Sequence, residues 1–219
     1  MSTARERKSV VGYLLTLVIG LILAIIGSVV LSIVIEWMGI FFEWWEQPGA
    51  EHAKMMLEKE LGWLNSDFKE AMVTPVVIAK IFMHFAYYYL VQMTGLEWLV
   101  YKLQESVLYP YALSAIYTIE LAAARLAVIV LSLPAMILFG VFALVDGLVE
   151  RDLRTWGGGR ETSFVYHHAR SWITLFIYTP ITLYLSSPWS IHPSIFVLMF
   201  AIPFGYTIWL SATYFKKYL

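Results

Sequence analysis

Four apolar runs, set apart by polar stretches, organise this chain. Residues 1–9 are polar and basic, with Arg5, Arg7 and Lys8 against Glu6. Residues 10–35 then carry no charge at all, and at 1.5 Å per residue such a helix spans a ~30 Å hydrocarbon core with tilt to spare. Gly20 and Gly27 lie seven apart on one face of that helix, where small residues let a second helix approach. The second run, 121–145, holds a single charge, Arg125, which can reach the interface along its aliphatic stem or pair with Glu120. Pro134 in its middle predicts a kink. The third run, 172–188, is short and contains Pro180, so it reads as one arm of a tight hairpin. The Ser- and Pro-rich turn that follows leads into the fourth run, 195–215, where Pro203 and Gly205 predict a bend. Lys216 and Lys217 close the chain at 216–219.

The polar remainder is unequal. Residues 36–120 form the largest stretch outside the four runs. Within it, 43–63 reads as an amphipathic helix, and Trp44 and Trp45 suit the aromatic belt just beyond a span. The segment 76–93 is apolar apart from Lys80, His84 and Gln92. It reads as a helix lying at the interface or packed on the bundle, with a fifth span as the alternative. The other long connection, 146–171, is dense in charge.

Composition favours lipid as the solvent for this pattern. Hydrophobic residues make up 60% of the 219 and charged residues 14%, against a usual ~45–50% and ~25%. Basic residues then set the orientation. The N-terminus, the 146–171 loop and the tail hold nine between them, all on one side of a four-span chain, which is the cytoplasmic signature. The expected architecture is an all-α polytopic membrane protein: four transmembrane helices, both termini in the cytoplasm, and a helical segment at 36–120 on the far side, which in a bacterial cell is the periplasm. The first run is too long for a cleaved signal core and reads as a retained anchor. Cysteine is absent, which removes disulfides, thiolate metal ligands and a Cys nucleophile.

The loop beyond the second run concentrates the side chains that could do chemistry. Gly157, Gly158, Gly159 and Arg160 resemble a phosphate cradle, but the Lys-Ser/Thr after the glycines and the strand before them are missing. His167 and His168 are adjacent, so on a helix they point about 100° apart and chelate poorly. The apolar runs offer no paired carboxylates, no Ser-His pair and no zincin motif, and Arg125 is their one ionisable group, so catalysis and ion transport are both disfavoured. Arg151, Arg154, Arg160 and Arg170 are balanced by Asp146, Glu150, Asp152 and Glu161, and a net-neutral loop attracts nucleic acid poorly. The reading left is an interaction surface. Residues 146–154 extend the second helix, the glycines end it, and 161–170 begin the next. The expectation is a non-enzymatic protein with no metal, cofactor or small-molecule substrate.

The string from Asp146 to Arg170, with Asp-Gly-Leu-Val, Arg-Asp-Leu-Arg, Gly-Gly-Gly-Arg-Glu and Phe-Val-Tyr-His within it, resembles the signature loop of the integrating conjugative element membrane protein family, which belongs to a group of unknown function. The layout is similar too. The resemblance implies an inner-membrane component of a conjugative DNA-transfer, type IV secretion system, partnering the hexameric coupling ATPase. Candidate partner-binding residues carried by the motif are Asp146, Arg151, Asp152, Arg154, Gly157, Gly158, Gly159, Arg160, Glu161, Tyr166, His167 and Arg170. Self-association is left open. The alternative is an exclusion or surface-sensing membrane protein that recognises an incoming donor through the exported segment.

Overall fold

The computed structural model describes residues 10–66, 75–157 and 163–215. All of its regular structure is helical. Helix α1 (Val10–Phe41) carries the first apolar run, and α2 (Glu51–Ser66) follows a short loop. Helix α3 (Pro75–Ala86) continues into a π-helix, Tyr87–Gln92, then α4 (Leu96–Lys102). Helices α5 (Tyr109–Trp156), α6 (Ser163–Ser186) and α7 (Pro193–Thr213) complete the chain.

Local chemistry explains the boundaries. The expected 43–63 helix begins only at Glu51, because Pro48 disfavours helical backbone at Gln47 and Gly49 takes a positive φ of 63°. Inside α2 the buried residues Ala53, Met56, Leu57, Glu60 and Leu64 follow a three-to-four-residue spacing, so one stripe faces the bundle. Pro110 starts α5, where its missing N–H costs nothing. That helix runs 48 residues, about 70 Å, well past both ends of the apolar run 121–145. It continues through Pro134, as α6 does through Pro180 and α7 through Pro203. Helix α5 stops after Trp156, with Gly157 at its C-cap, where the first glycine of the run was expected to end it. His192 caps α7, its Nδ1 accepting from the Ser194 N–H at 3.3 Å.

Side-chain contacts fix how the helices stack. The Trp37 indole donates to the Tyr111 carbonyl at 2.8 Å, joining the end of α1 to the start of α5. The Tyr178 hydroxyl donates to the Leu17 carbonyl at 3.3 Å, so the other half of α1 lies on α6. Gly20 permits that approach, since a Cβ there would meet the Tyr178 hydroxyl at 2.5 Å, whereas Gly27 has open space beside it. Helix α7 runs parallel to α5: Phe204 and Ile208 lie at Gly140, and Trp209 and Ala212 at Gly147. The start of α1 and the ends of α5 and α7 thus share one end of the molecule, the motif end.

Three described helices hold stretches long and apolar enough to cross a membrane: Leu15–Phe41, Tyr109–Trp156 and Pro193–Thr213. A bent pair, Pro75–Gln92 with Leu96–Lys102 at 64°, makes a fourth candidate as a broken span, and α6 contributes a shorter apolar stretch, Leu175–Ser186. Segment 76–93, expected at the interface or on the bundle, packs Val76, Ala79, Phe82 and Met83 into the core that Leu121 and Ala124 of α5 share, while Val77, Ile81 and Phe85 are exposed, the last two bordering a cleft with Ile119 and Ala122 of α5.

The approach of α5 to the α7 backbone at Gly147 is a point of weakness. A Cβ on Gly147 would sit 2.6 Å from the Trp209 carbonyl oxygen and 2.8 Å from the Ala212 Cβ, and backbone cannot swing aside. Gly147→Leu should therefore cost about 1–3 kcal/mol through overpacking. Thermal unfolding of the purified variant in detergent checks this, with Gly27→Leu, which meets open space, as the silent control.

Candidate functional site

Arg125 and Glu60 lie 65 positions apart in sequence and meet in the interior. Arg125 is fully buried, and Glu60 lies on the buried stripe of α2 with its side chain 3% exposed. The Arg125 Nε donates to both Glu60 carboxylate oxygens at 3.1 Å, and Nη2 donates to Oε1 at 2.6 Å. Nη1 donates to the Tyr184 carbonyl at 3.0 Å and the Ser187 carbonyl at 2.6 Å, and Nη2 also donates to the Trp189 carbonyl at 2.9 Å. A guanidinium has five N–H donors, and this set engages all of them. The clamp joins α2, α5 and the α6–α7 turn at one point. Burial pushes the Glu60 carboxyl above its ordinary range, and the Arg125 charge opposes that shift. With every donor taken, the clamp offers none to an outside ligand.

This pairing corrects the expectations for Arg125, which reaches neither an interface nor Glu120. Two carboxylates, Glu36 and Glu60, are buried in the described structure. Glu36 forms a second tie. Its carboxylate oxygens lie 3.0 and 3.2 Å from the His52 Nδ1, and the His52 ring stacks on Trp45 at 4.0 Å. That contact folds the α1–α2 loop back, and Gly39 leaves room for the Trp45 ring. Both acids stand outside the four apolar runs, so inspection of those runs alone missed them. The available signal was a carboxylate in register with the apolar stripe of α2, for which Arg125 is the one charge within the second run.

Tyr184 stacks on Phe196 at 4.0 Å beside the clamp, and its buried hydroxyl has no hydrogen-bond partner among the described residues. Tyr184→Phe should leave thermal stability unchanged or raise it by up to about 1 kcal/mol, because it removes an unsatisfied polar atom and keeps the ring.

At the motif end the candidate residues separate. Asp146 is exposed and borders a shallow cleft with Phe139, Phe142 and Trp209. The Arg151 Nη2 donates to the Asp152 Oδ1 at 2.9 Å. The Arg154 guanidinium lies 4.2 Å from the centre of the Tyr214 ring, which ties the last turns of α5 to the end of α7. Gly157 caps α5. Gly158, Gly159, Arg160 and Glu161 lie outside the described residues, and Tyr166, His167 and Arg170 are placed only as backbone in the first turns of α6. The described motif residues therefore sit along one helix end and do not converge on a pocket.

Three residues absent from the candidate set stand out there. Val149, Leu153 and Trp156 follow i, i+4, i+7 spacing and form one exposed apolar stripe, with Trp156 91% exposed. Glu150, Arg151 and Asp152 flank them. Trp156 falls between the motif's charges and its glycines, and a tryptophan past the end of an apolar run was the signal for it.

The fold and this helix end together define a class: an all-helical protein with helices fit to cross a membrane and an exposed, mixed apolar and charged helix end. The chain belongs to the DtrJ-like family, described as IncC plasmid conjugative DNA transfer protein DtrJ-like, whose model matches residues 44–216. That match covers α2 to α7, both residues of the Arg125–Glu60 clamp and the whole motif. It gives the chain a role in conjugative DNA transfer. No curated protein and no solved structure matches the chain.

Proposed function

We propose that this chain is a non-enzymatic inner-membrane component of a conjugative type IV secretion system, carried by integrating elements as well as plasmids, and that it partners the coupling ATPase. Both termini and the motif end face the cytoplasm in this reading, and α2 to α4 face the periplasm. The observation that carries the proposal is the Val149–Leu153–Trp156 stripe with its flanking charges. An exposed tryptophan ringed by polar groups is the composition of a protein-binding hot spot. The Arg154–Tyr214 contact and the Arg125 clamp hold the helix that presents it, which limits the entropy lost on docking.

Replacing Arg151, Arg154 and Arg160 together by Ala should weaken co-purification with the coupling ATPase while leaving membrane insertion intact. Deleting the gene should abolish or sharply lower transfer. Unchanged transfer would remove the proposal, and unchanged co-purification would remove this helix end as the contact.

The exclusion reading draws on the opposite end, where Phe41, Phe42, Trp44, Trp98 and Tyr101 are exposed. Exchanging residues 36–120 between related elements separates the two readings. The exclusion reading requires specificity to follow the segment; the coupling reading leaves it unchanged.

A further inference from the structure

Helix α1 changes partners along its length, and the change leaves a gap. Its upper half packs on α5, with Val29 and Ile33 against Ile116 and Ile119. Its lower half lies on α6 through Leu17 and Tyr178. Helix α6 packs mainly on α1 and α7 and meets α5 less. Between α5, α6 and α7 this opens an apolar cleft of about 460 Å³. Phe176 and Pro180 of α6 and Phe200 of α7 form its inner wall, and Ile137, Val141 and Leu144 of α5 flank its mouth. Its one polar side chain, Ser132, already donates to the Ile129 carbonyl at 2.7 Å. Nothing in the cleft offers a hydrogen bond to a ligand.

The size limits the occupant. A water takes about 30 Å³ and a methylene is similar, so the cleft admits about fifteen such groups, the size of one lipid chain. A helix ~10 Å across advances 5.4 Å per turn, so the same space would hold only about one turn of a partner helix. Charge then indicates which end of a lipid lies where. Ile137, Leu144 and Arg151 are spaced by seven, so Arg151 stands on the mouth face of α5, about 10 Å beyond Leu144 along the axis.

We infer that the cleft binds one acyl chain of an anionic phospholipid, with the headgroup phosphate at Arg151. Arg151 exchanges its surface contact with Asp152 for the phosphate, and the apolar walls exclude water from the chain. The inference rests on the membrane-spanning reading of α5 and α7; Arg151 also stands in the proposed contact with the coupling ATPase, so the test uses the chain without the ATPase.

The full chain, purified alone in mild detergent, tests it. Phospholipid per chain is counted by mass spectrometry after detergent washing and again after adding back phosphatidylglycerol or phosphatidylcholine. About one retained phosphatidylglycerol per chain is expected. Ile137→Trp, at a site 62% exposed and therefore tolerant, should block the mouth and remove that lipid at least fivefold. Leu138→Trp, equally accessible but outside the cleft, should keep it and shows that a surface tryptophan does not unfold the chain. Arg151→Gln should keep a bound lipid but reduce the preference for phosphatidylglycerol roughly fivefold, the loss of one basic contact to an anionic headgroup. Equal retention by Ile137→Trp and Leu138→Trp, or wild-type protein holding no lipid after washing, overturns the inference. An unchanged preference in Arg151→Gln overturns the headgroup assignment.

Discussion

Arg125→Ala should cost about 3–5 kcal/mol and leave little folded protein in the membrane. The reason lies in what the substitution strands. Without the guanidinium, Glu60 keeps a buried carboxyl with no counter-charge, and the carbonyls of Tyr184, Ser187 and Trp189 each lose a charge-assisted donor. Glu60→Ala strands the arginine instead and should cost a similar amount. The double replacement Arg125→Met with Glu60→Leu removes both charges and should recover most of the loss, because a well-packed apolar pair can match a buried ion pair. Arg125→Lys should rescue poorly, since one ammonium cannot reach the carboxylate and three carbonyls in their present directions. Accumulation in the membrane, together with unfolding temperature in detergent, distinguishes these variants. If the single and double variants lose equal stability, the pair is not what holds α2 against α5.

The second large effect concerns binding. Trp156→Ala should weaken affinity for the coupling ATPase about thirtyfold, the loss of about 2 kcal/mol that marks a hot-spot residue. Leu153→Ala, one turn away on the same stripe, should weaken it severalfold. Neither side chain packs inside the bundle, so unfolding temperature should not move. Tryptophans also sit at membrane interfaces as anchors. Trp156→Phe separates the two roles: it keeps most of the apolar contact and should retain much of the binding. Full binding by Trp156→Ala would assign this tryptophan to the interface.

Much of the architecture was legible as runs of apolar residues. Helices α1, α5 and α7 each contain such a run, because a helix that sheds all charge for twenty residues has lipid or a core as its surroundings. The length of α5 was not legible. Tyr109 to Glu120 mixes Tyr, Ser, Thr and Glu with apolar residues, and it continues the helix because Ala112, Ala115 and Ile119 bury one face. The π-helix at Tyr87–Gln92 was also hidden. The Met93 N–H bonds to the Tyr88 carbonyl five residues back, a choice of backbone register that no side-chain pattern marks. The Arg125–Glu60 clamp needed the fold itself, since pairing across 65 residues is a tertiary fact. Arg125 was visible as an anomaly, and its partner stood in a helix read only for its amphipathic surface. At the motif end the charges were legible, and their grouping along one helix end was not. Arg154 turned to Tyr214 and Arg151 to Asp152, which leaves the apolar stripe between them as the most exposed feature.

A photo-crosslinking amino acid placed at Trp156 in cells carrying the complete transfer system tests the central claim most directly. The account predicts a crosslinked product containing this chain and the coupling ATPase, weakened when Arg151, Arg154 and Arg160 are also replaced by Ala, and absent when the crosslinker stands at Trp44 at the opposite end. Capture of the ATPase from Trp44 but not from Trp156 would contradict it.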